Sequence, residues 1–153
     1  MATTYSVEKT KWDQNTPKTK ISTRDIQGRV RVAYALYEAA ALAVGVTEMF
    51  NLPDGARILS GELVHDALGT STTLAVGYAA YTNSAGTAVA AAPTAYKAAA
   101  ASTAITTVGC MLTSALGKNS ITDTDGTGLP VTVSLAGAAA TGTIELTVLY
   151  VVD

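Results

Sequence analysis

Apolar and polar residues alternate with a period of two over most of the chain beyond residue 27, and a helical period is sustained almost nowhere. In residues 30–36, Val30, Val32, Tyr34 and Leu36 alternate with Arg31, Ala33 and Ala35, which predicts a half-buried strand. Residues 38–43 either extend it or form a short helical turn, because alanine favours helix. A second run, Val44, Val46, Glu48 and Phe50, ends at Leu52, Pro53, Asp54 and Gly55. Pro-Asp-Gly is a turn with a mechanism: proline sets φ and glycine accepts positive φ. Residues 56–63 form a third strand with Ile58 near its centre, and Asp66, Ala67, Leu68 and Gly69 break it. Residues 72–81 place Leu74, Val76 and Tyr78 on one face and Thr73, Ala75 and Gly77 on the other. A Gly/Ser/Ala/Thr loop over 83–92 closes at Pro93. Residues 94–101, with Tyr96 and an alanine run, are the one segment with helical preference. Strand character returns at 105–112 and 131–135, on either side of a polar, glycine-rich stretch at 118–129. Residues 143–152 alternate most clearly: Ile144, Leu146, Val148 and Tyr150 against Glu145, Thr147, Leu149 and Val151.

Short strands with Gly/Pro/Asp turns between them predict an all-β chain, an antiparallel β-sandwich of jelly-roll-like type with at most one short helix. No long helices alternate with the strands, which argues against a parallel α/β sheet. In residues 1–27, Thr, Lys, Asp, Asn and Pro17 break any apolar period, so they read as an extended N-terminal docking arm ahead of a body at 28–153. At 153 residues and 48% hydrophobic composition the body can bury a core. Alanine inflates that fraction, however, and with one Phe and one Trp the seven Tyr supply most of the large aromatic surface.

Charge divides the chain at the same place. Residues 1–31 hold seven basic and three acidic side chains, net +4, whereas residues 32–153 hold three basic and nine acidic, net −6. A cationic arm is drawn to an acidic surface, and salt weakens the attraction. The arm residues expected to dock are Lys9, Lys11, Trp12, Lys18, Lys20, Ile21 and Arg24. Nucleic acid is disfavoured as a partner, since the arm lacks a dense Lys/Arg run and offers only Tyr5 and Trp12 for stacking. Cys110 is alone, which excludes an intrachain disulfide. The N-terminus shows no apolar signal-type stretch. Residues 98–117 are twenty positions without charge, but six are Ser or Thr and Lys97 and Lys118 flank them, so they read as part of a soluble body and no membrane partner is expected.

Candidate chemistry is sparse. Asp123, Thr124, Asp125 and Gly126 open like a calcium loop, yet the ligand positions further on are Thr127 and Ser134, and the stretch reads as a polar turn. His65 and Asp66 are the one adjacent His–carboxylate pair; Ser60 lies five residues earlier, no nucleophile elbow is present, and one His with one Cys cannot supply a zinc site. No catalytic residue, metal or cofactor is therefore expected. Tyr78, Tyr81 and Tyr96 are the aromatic residues available to a carbohydrate, although packing explains them as well.

Several stretches resemble structural proteins of tailed-bacteriophage virions: Leu52-Pro53-Asp54-Gly55-Ala56-Arg57-Ile58-Leu59, then Asp66-Ala67-Leu68-Gly69-Thr70-Ser71-Thr72, then Val76-Gly77-Tyr78. At the C-terminal end, Ala138-Ala139-Ala140-Thr141-Gly142-Thr143-Ile144 leads into the strand ending Tyr150-Val151-Val152-Asp153. The 96–106 region fits the pattern poorly. The resemblance implies a non-enzymatic capsid decoration or cement protein, or another virion part such as a tail, neck or fibre base; a carbohydrate-binding sandwich module is the cellular alternative. It further implies the major capsid protein as partner, a homotrimer on the capsid surface of the virion, and synthesis in the bacterial host cytoplasm. Residues 142–152 have two largely apolar faces after Glu145, which makes Ile144, Leu146, Val148, Leu149, Tyr150 and Val151 the expected oligomer contacts.

Overall fold

A computed structural model describes residues 28–152 together with Ser6 and Lys9. Ten strands follow in order: β1 (Val30–Leu42), β2 (Gly45–Leu52), β3 (Arg57–His65), β4 (Thr73–Tyr78), β5 (Tyr81–Thr82), β6 (Ala88–Val89), β7 (Ala92–Ala101), β8 (Thr106–Cys110), β9 (Leu129–Ala136) and β10 (Ala140–Val151). One 3-10 turn, Ser114–Leu116, precedes β9. Eight strands form two four-stranded antiparallel sheets, ordered β1-β10-β3-β8 and β2-β9-β4-β7, and β5 with β6 makes a separate small ribbon. Strands alternate between the sheets in the interleaved order of a jelly roll, except that β4 and β7, flanking the small ribbon, pair within the second sheet.

The core lies between the sheets. β10, at the interior of the first sheet, contributes Ile144, Leu146 and Val148; β3 contributes Ile58 and Leu63; β9 contributes Val131, Val133 and Leu135; and Leu52, Leu74 and Val76 complete the second sheet's share. All are nearly or fully buried. Loops are tied back by side chains. The Asp54 carboxylate accepts from the Thr124 N–H at 2.7 Å and the Thr124 hydroxyl at 3.1 Å. Thr122 accepts from the Ala56 N–H at 2.8 Å and donates to the Pro53 carbonyl at 2.6 Å. The polar stretch after Lys118 is thereby locked onto the Pro53-Asp54-Gly55 turn. Asp66 does the same elsewhere, its Oδ2 accepting from the Thr143 N–H at 2.8 Å.

Three expectations change. Residues 94–101 are strand: β7 pairs antiparallel with β4, Thr73 opposite Ala101 and Val76 opposite Lys97, and Tyr96 enters the core. Alanine's helix preference amounts to little energy per residue, and pairing with β4 together with burial of Tyr96 overrides it. The β4–β7 backbones also approach so closely that a Cβ at Gly77 would lie 2.0 Å from the Ala92 carbonyl oxygen, so only glycine fits there. The run over 72–81 is interrupted, ending as β4 at Tyr78 and resuming as the short β5. Finally, the first alternating run extends to Leu42, with a register shift between Ala39 and Leu42, and its facing is the reverse of what a half-buried strand implies. Ala33, Tyr37 and Ala39 pack on the core, while Val30, Val32, Tyr34 and Leu36 point away from it.

Leu146→Ala should cost about 2–5 kcal/mol of stability in chemical denaturation, as a core truncation does. Leu149→Ala, three residues along β10 on the other face, should cost a small fraction of that. Equal losses would mean the strand is facing the other way.

Hydrogen bonding from Thr143 holds the Asp66 carboxyl below its ordinary value, with the charge of His65 adding to the effect. A depressed carboxylate stabilises the fold above the ordinary carboxylate range, and that stability is lost as pH falls through the folded-state value. Asp66→Asn should therefore unfold more readily at neutral pH and converge on the parent in strong acid, measured as thermal midpoints across a pH series.

Candidate interaction surface

The outward face of the first sheet assembles side chains that lie far apart in sequence. Strand register places Val32 opposite Leu149, Leu149 opposite Ser60, Tyr34 opposite Thr147, and Thr147 opposite Glu62. The β1 row is open to solvent: Val30 is 60% exposed, Val32 58%, Tyr34 54% and Leu36 49%. Leu112, itself exposed, lies over Gly109 on the β8 side, where a Cβ would come within 2.7 Å of its Cδ2. Between Leu112, Leu149 and Glu62 runs a shallow groove of about 390 Å³. A continuous apolar surface of this kind is unusual on an isolated soluble chain.

The same face is acidic. Glu145 pairs with Leu36 on one side and Val64 on the other, while Glu38 stands two residues beyond Leu36 and Glu62 two residues before Val64. Glu38, Glu145 and Glu62 thus form a diagonal across three strands, with neighbouring backbone positions about 7–8 Å apart by sheet geometry. The Tyr34 hydroxyl donates to Glu145 Oε2 at 3.1 Å, and its loss of solvent together with that bond raises its pKa. The basic residue paired into this face, Arg57, sits opposite Val151 at the Val30 end, away from the glutamates.

The expected oligomer contacts on β10 divide between the two faces of the sheet. Ile144, Leu146 and Val148 are core residues at 2%, 0% and 0% exposure, and Val151 is buried at 4%. Tyr150 packs against the core from its margin. Both hydrogen-bonding edges of β10 are taken, by β1 and β3, so the strand has only its outward row to offer a second copy. Leu149 alone of the six belongs to the outward surface. Of the arm candidates, Lys11, Trp12, Lys18, Lys20, Ile21 and Arg24 lie outside the described residues. Lys9 is described, and its N–H donates to the Ser6 hydroxyl at 3.1 Å.

The surface that sequence reading missed is the β1 row. Its alternation was visible, but alternation alone does not say which row faces inward. The small size of Ala33, Ala35 and Ala39 was the available signal.

The other candidates are occupied by local structure. The three tyrosines do come together, with Tyr78 5.7 Å from both Tyr81 and Tyr96, around a cavity of about 270 Å³. Their rings meet at 73° and 53° and pack on one another, and burial pushes the Tyr96 hydroxyl far above the usual tyrosine range. Asp125 accepts from the N–H and hydroxyl of Thr127, and Asp123 accepts from the Ser84 N–H, so this segment caps turns. His65 is buried, with Nδ1 2.8 Å from the Asp66 carbonyl oxygen. Burial pushes the Cys110 thiol up to about 12, far from the thiolate form a nucleophile needs. Among the described residues no three His, Cys, Asp or Glu side chains gather as a metal site, and no helix is long and apolar enough to cross a membrane.

Comparison with known proteins gives a consistent picture of the fold. No protein family matches the sequence, and no curated protein does. Solved structures do match. A chain from the capsid asymmetric unit of cyanophage Pam1 superposes with a TM-score of 0.61 at 21% identity, over 92% of this chain and 99% of that one. A chain from the capsid of Ralstonia phage GP4 gives 0.61 at 23% identity, over 82% and 86%. One from the acid-stable capsid of Helicobacter pylori bacteriophage KHP30 gives 0.56 at 17% identity, over 80% and 87%. The resemblance to phage virion structural proteins is thus met in the fold.

Val32→Asp should leave the fold intact by circular dichroism and thermal melting, because the side chain points to water. Ala39→Asp should destabilise by several kcal/mol, because it places an unpaired charge against the core. The opposite ranking would restore the facing implied by the alternation.

Proposed function

We propose that the chain is a structural, non-enzymatic component of a bacteriophage capsid, a head decoration or cement protein that binds the lattice of the major capsid protein. The observation that carries this reading is the shared jelly roll, which spans nearly the whole of a chain in the cyanophage Pam1 capsid. The open apolar and acidic face of the first sheet supports it, since a shell component needs surface for neighbours rather than a reactive cleft. In this reading the protein is made in the bacterial host cytoplasm and sits on the capsid surface of the virion, as a homotrimer.

The segment 1–27 is the attachment element in this proposal. An extended chain reaches up to about 3.3 Å per residue, enough to cross a joint between shell subunits. Ordering it costs entropy, which new contacts must offset, and many copies on one lattice gain from avidity. Placement in a tail, neck or fibre base draws on the same fold without a further observation in its favour. A carbohydrate-binding role is not supported by Tyr78, Tyr81 and Tyr96, whose rings are engaged with each other.

Deleting residues 1–27 should leave the body folded by circular dichroism and abolish binding to purified particles. Occupancy of the full chain should also fall with added salt, because Lys9, Lys11, Lys18, Lys20 and Arg24 act as several exposed pairs, each worth about 0–1 kcal/mol. Unchanged occupancy of the truncated protein would remove the arm's role, and salt-independent occupancy would assign the binding to Trp12 and Ile21.

A further inference from the structure

We propose that the outward face of the β1-β10-β3-β8 sheet is the receptor for the cationic N-terminal segment, residues 1–27, of a neighbouring copy. The inference rests on the shell reading above and deepens it: the segment that attaches each molecule there is here given its receptor, the sheet of the next copy on the lattice, so that attachment is cooperative.

Among the described residues nothing covers the stripe of Val30, Val32, Tyr34 and Leu36, and in this proposal its cover is a neighbouring copy. The glutamate diagonal narrows what that molecule presents. A second copy offering the same face would set Glu38, Glu62 and Glu145 against like charges, which disfavours face-to-face stacking. An apolar but uncharged partner would strip water from the carboxylates without replacing it. The fitting occupant carries apolar anchors with cations between them.

Residues 1–27 have this composition: Lys9, Lys11, Lys18, Lys20 and Arg24 against Glu8, Asp13 and Asp25, with Trp12, Ile21 and Ile26 interspersed. Length is sufficient. At about 3.3 Å per residue such a segment reaches tens of Å, whereas four strands at about 4.8 Å spacing make a face only about 15 Å across. The segment ends at Gln27, and Gly28 and Arg29 join it to β1 at Val30, so it leaves each molecule from the edge strand of the sheet whose face it would meet on the next. The groove between Leu112, Leu149 and Glu62 is a place where a large anchor could sit beside a carboxylate.

Donor and receptor are different surfaces, so the contact is head-to-tail and closes into a ring when the rotation permits. Three copies linked in this way would make the trimer without using β10 as an edge.

The test uses the full chain in solution. A benzoylphenylalanine photocrosslinker replaces Gln14, between Trp12 and Lys18, and copies with ordinary and heavy nitrogen are mixed before irradiation and peptide mass spectrometry. Crosslinks are expected between copies of unlike isotope, from position 14 into peptides of β1, β3 and β10. Glu62→Lys with Glu145→Lys should lower their yield roughly tenfold without altering circular dichroism. Lys18→Glu with Lys20→Glu in the segment-donating copy should restore part of it. Crosslinks confined to single copies, crosslinks to the other sheet, or none in solution would overturn the inference. Crosslinks made only to the shell protein on particles would overturn it while leaving the capsid role in place. Between-copy crosslinks in a protein that never binds particles would uphold it and remove that role.

Discussion

The thin layer between two four-stranded sheets is the constraint on which the rest depends. Interiors are packed to a fixed density, so side chains that enter at the middle of the layer limit those that enter at its margin. β10 and β9 occupy interior positions of their sheets and fill the middle with Ile144, Leu146, Val148, Val131 and Val133. β1 is a marginal strand, and up to the register shift its inward row is correspondingly slight: Ala33, Ala35 and Ala39 around Tyr37, with Leu42 joining the core beyond the shift. The larger residues of β1 go outward because the inward positions are already small-residue positions. An apolar outer stripe is therefore a consequence of how the core is filled.

That consequence has a cost for an isolated molecule. β1 is thirteen residues long, contains no proline, and among the described residues has no strand paired along its outer edge. Such an edge invites association. The devices that usually limit it are charge and irregularity, and both occur here: Arg31 and Glu38 toward the two ends, and the register shift between Ala39 and Leu42. The edge is left available but not indiscriminately adhesive.

Much of this was legible from the residues. Strand period, turn chemistry at Pro53-Asp54-Gly55 and the spacing of strands were enough for an antiparallel sandwich, because each is a local property that burial on one face enforces. What was not legible depended on partners distant in sequence. The alanines of residues 94–101 are helix formers by themselves and become β7 only because β4 is alongside and Tyr96 has a core to enter. Residues 144–151 read as two apolar faces, and only the strand order shows that β10 is enclosed on both edges. Glu38, Glu62 and Glu145 looked scattered, since only register reveals a diagonal.

Apolar stripe and glutamate diagonal act together on any partner. Exposed, the three carboxylates are solvated and separated enough to tolerate one another. Once the apolar stripe is covered, water leaves the carboxylates too, and their repulsion and desolvation rise together. Covering the stripe is then favourable only for a partner whose cations arrive with its apolar groups. Hydrophobic burial supplies most of the attraction and says little about identity, whereas the diagonal rejects neutral and acidic surfaces. Since the face includes Tyr34 bonded to Glu145, the two elements are also joined physically: any group that settles on the ring meets the carboxylate it holds. Selectivity on this molecule therefore arises from register, which places acid beside oil, and not from a pocket of special chemistry.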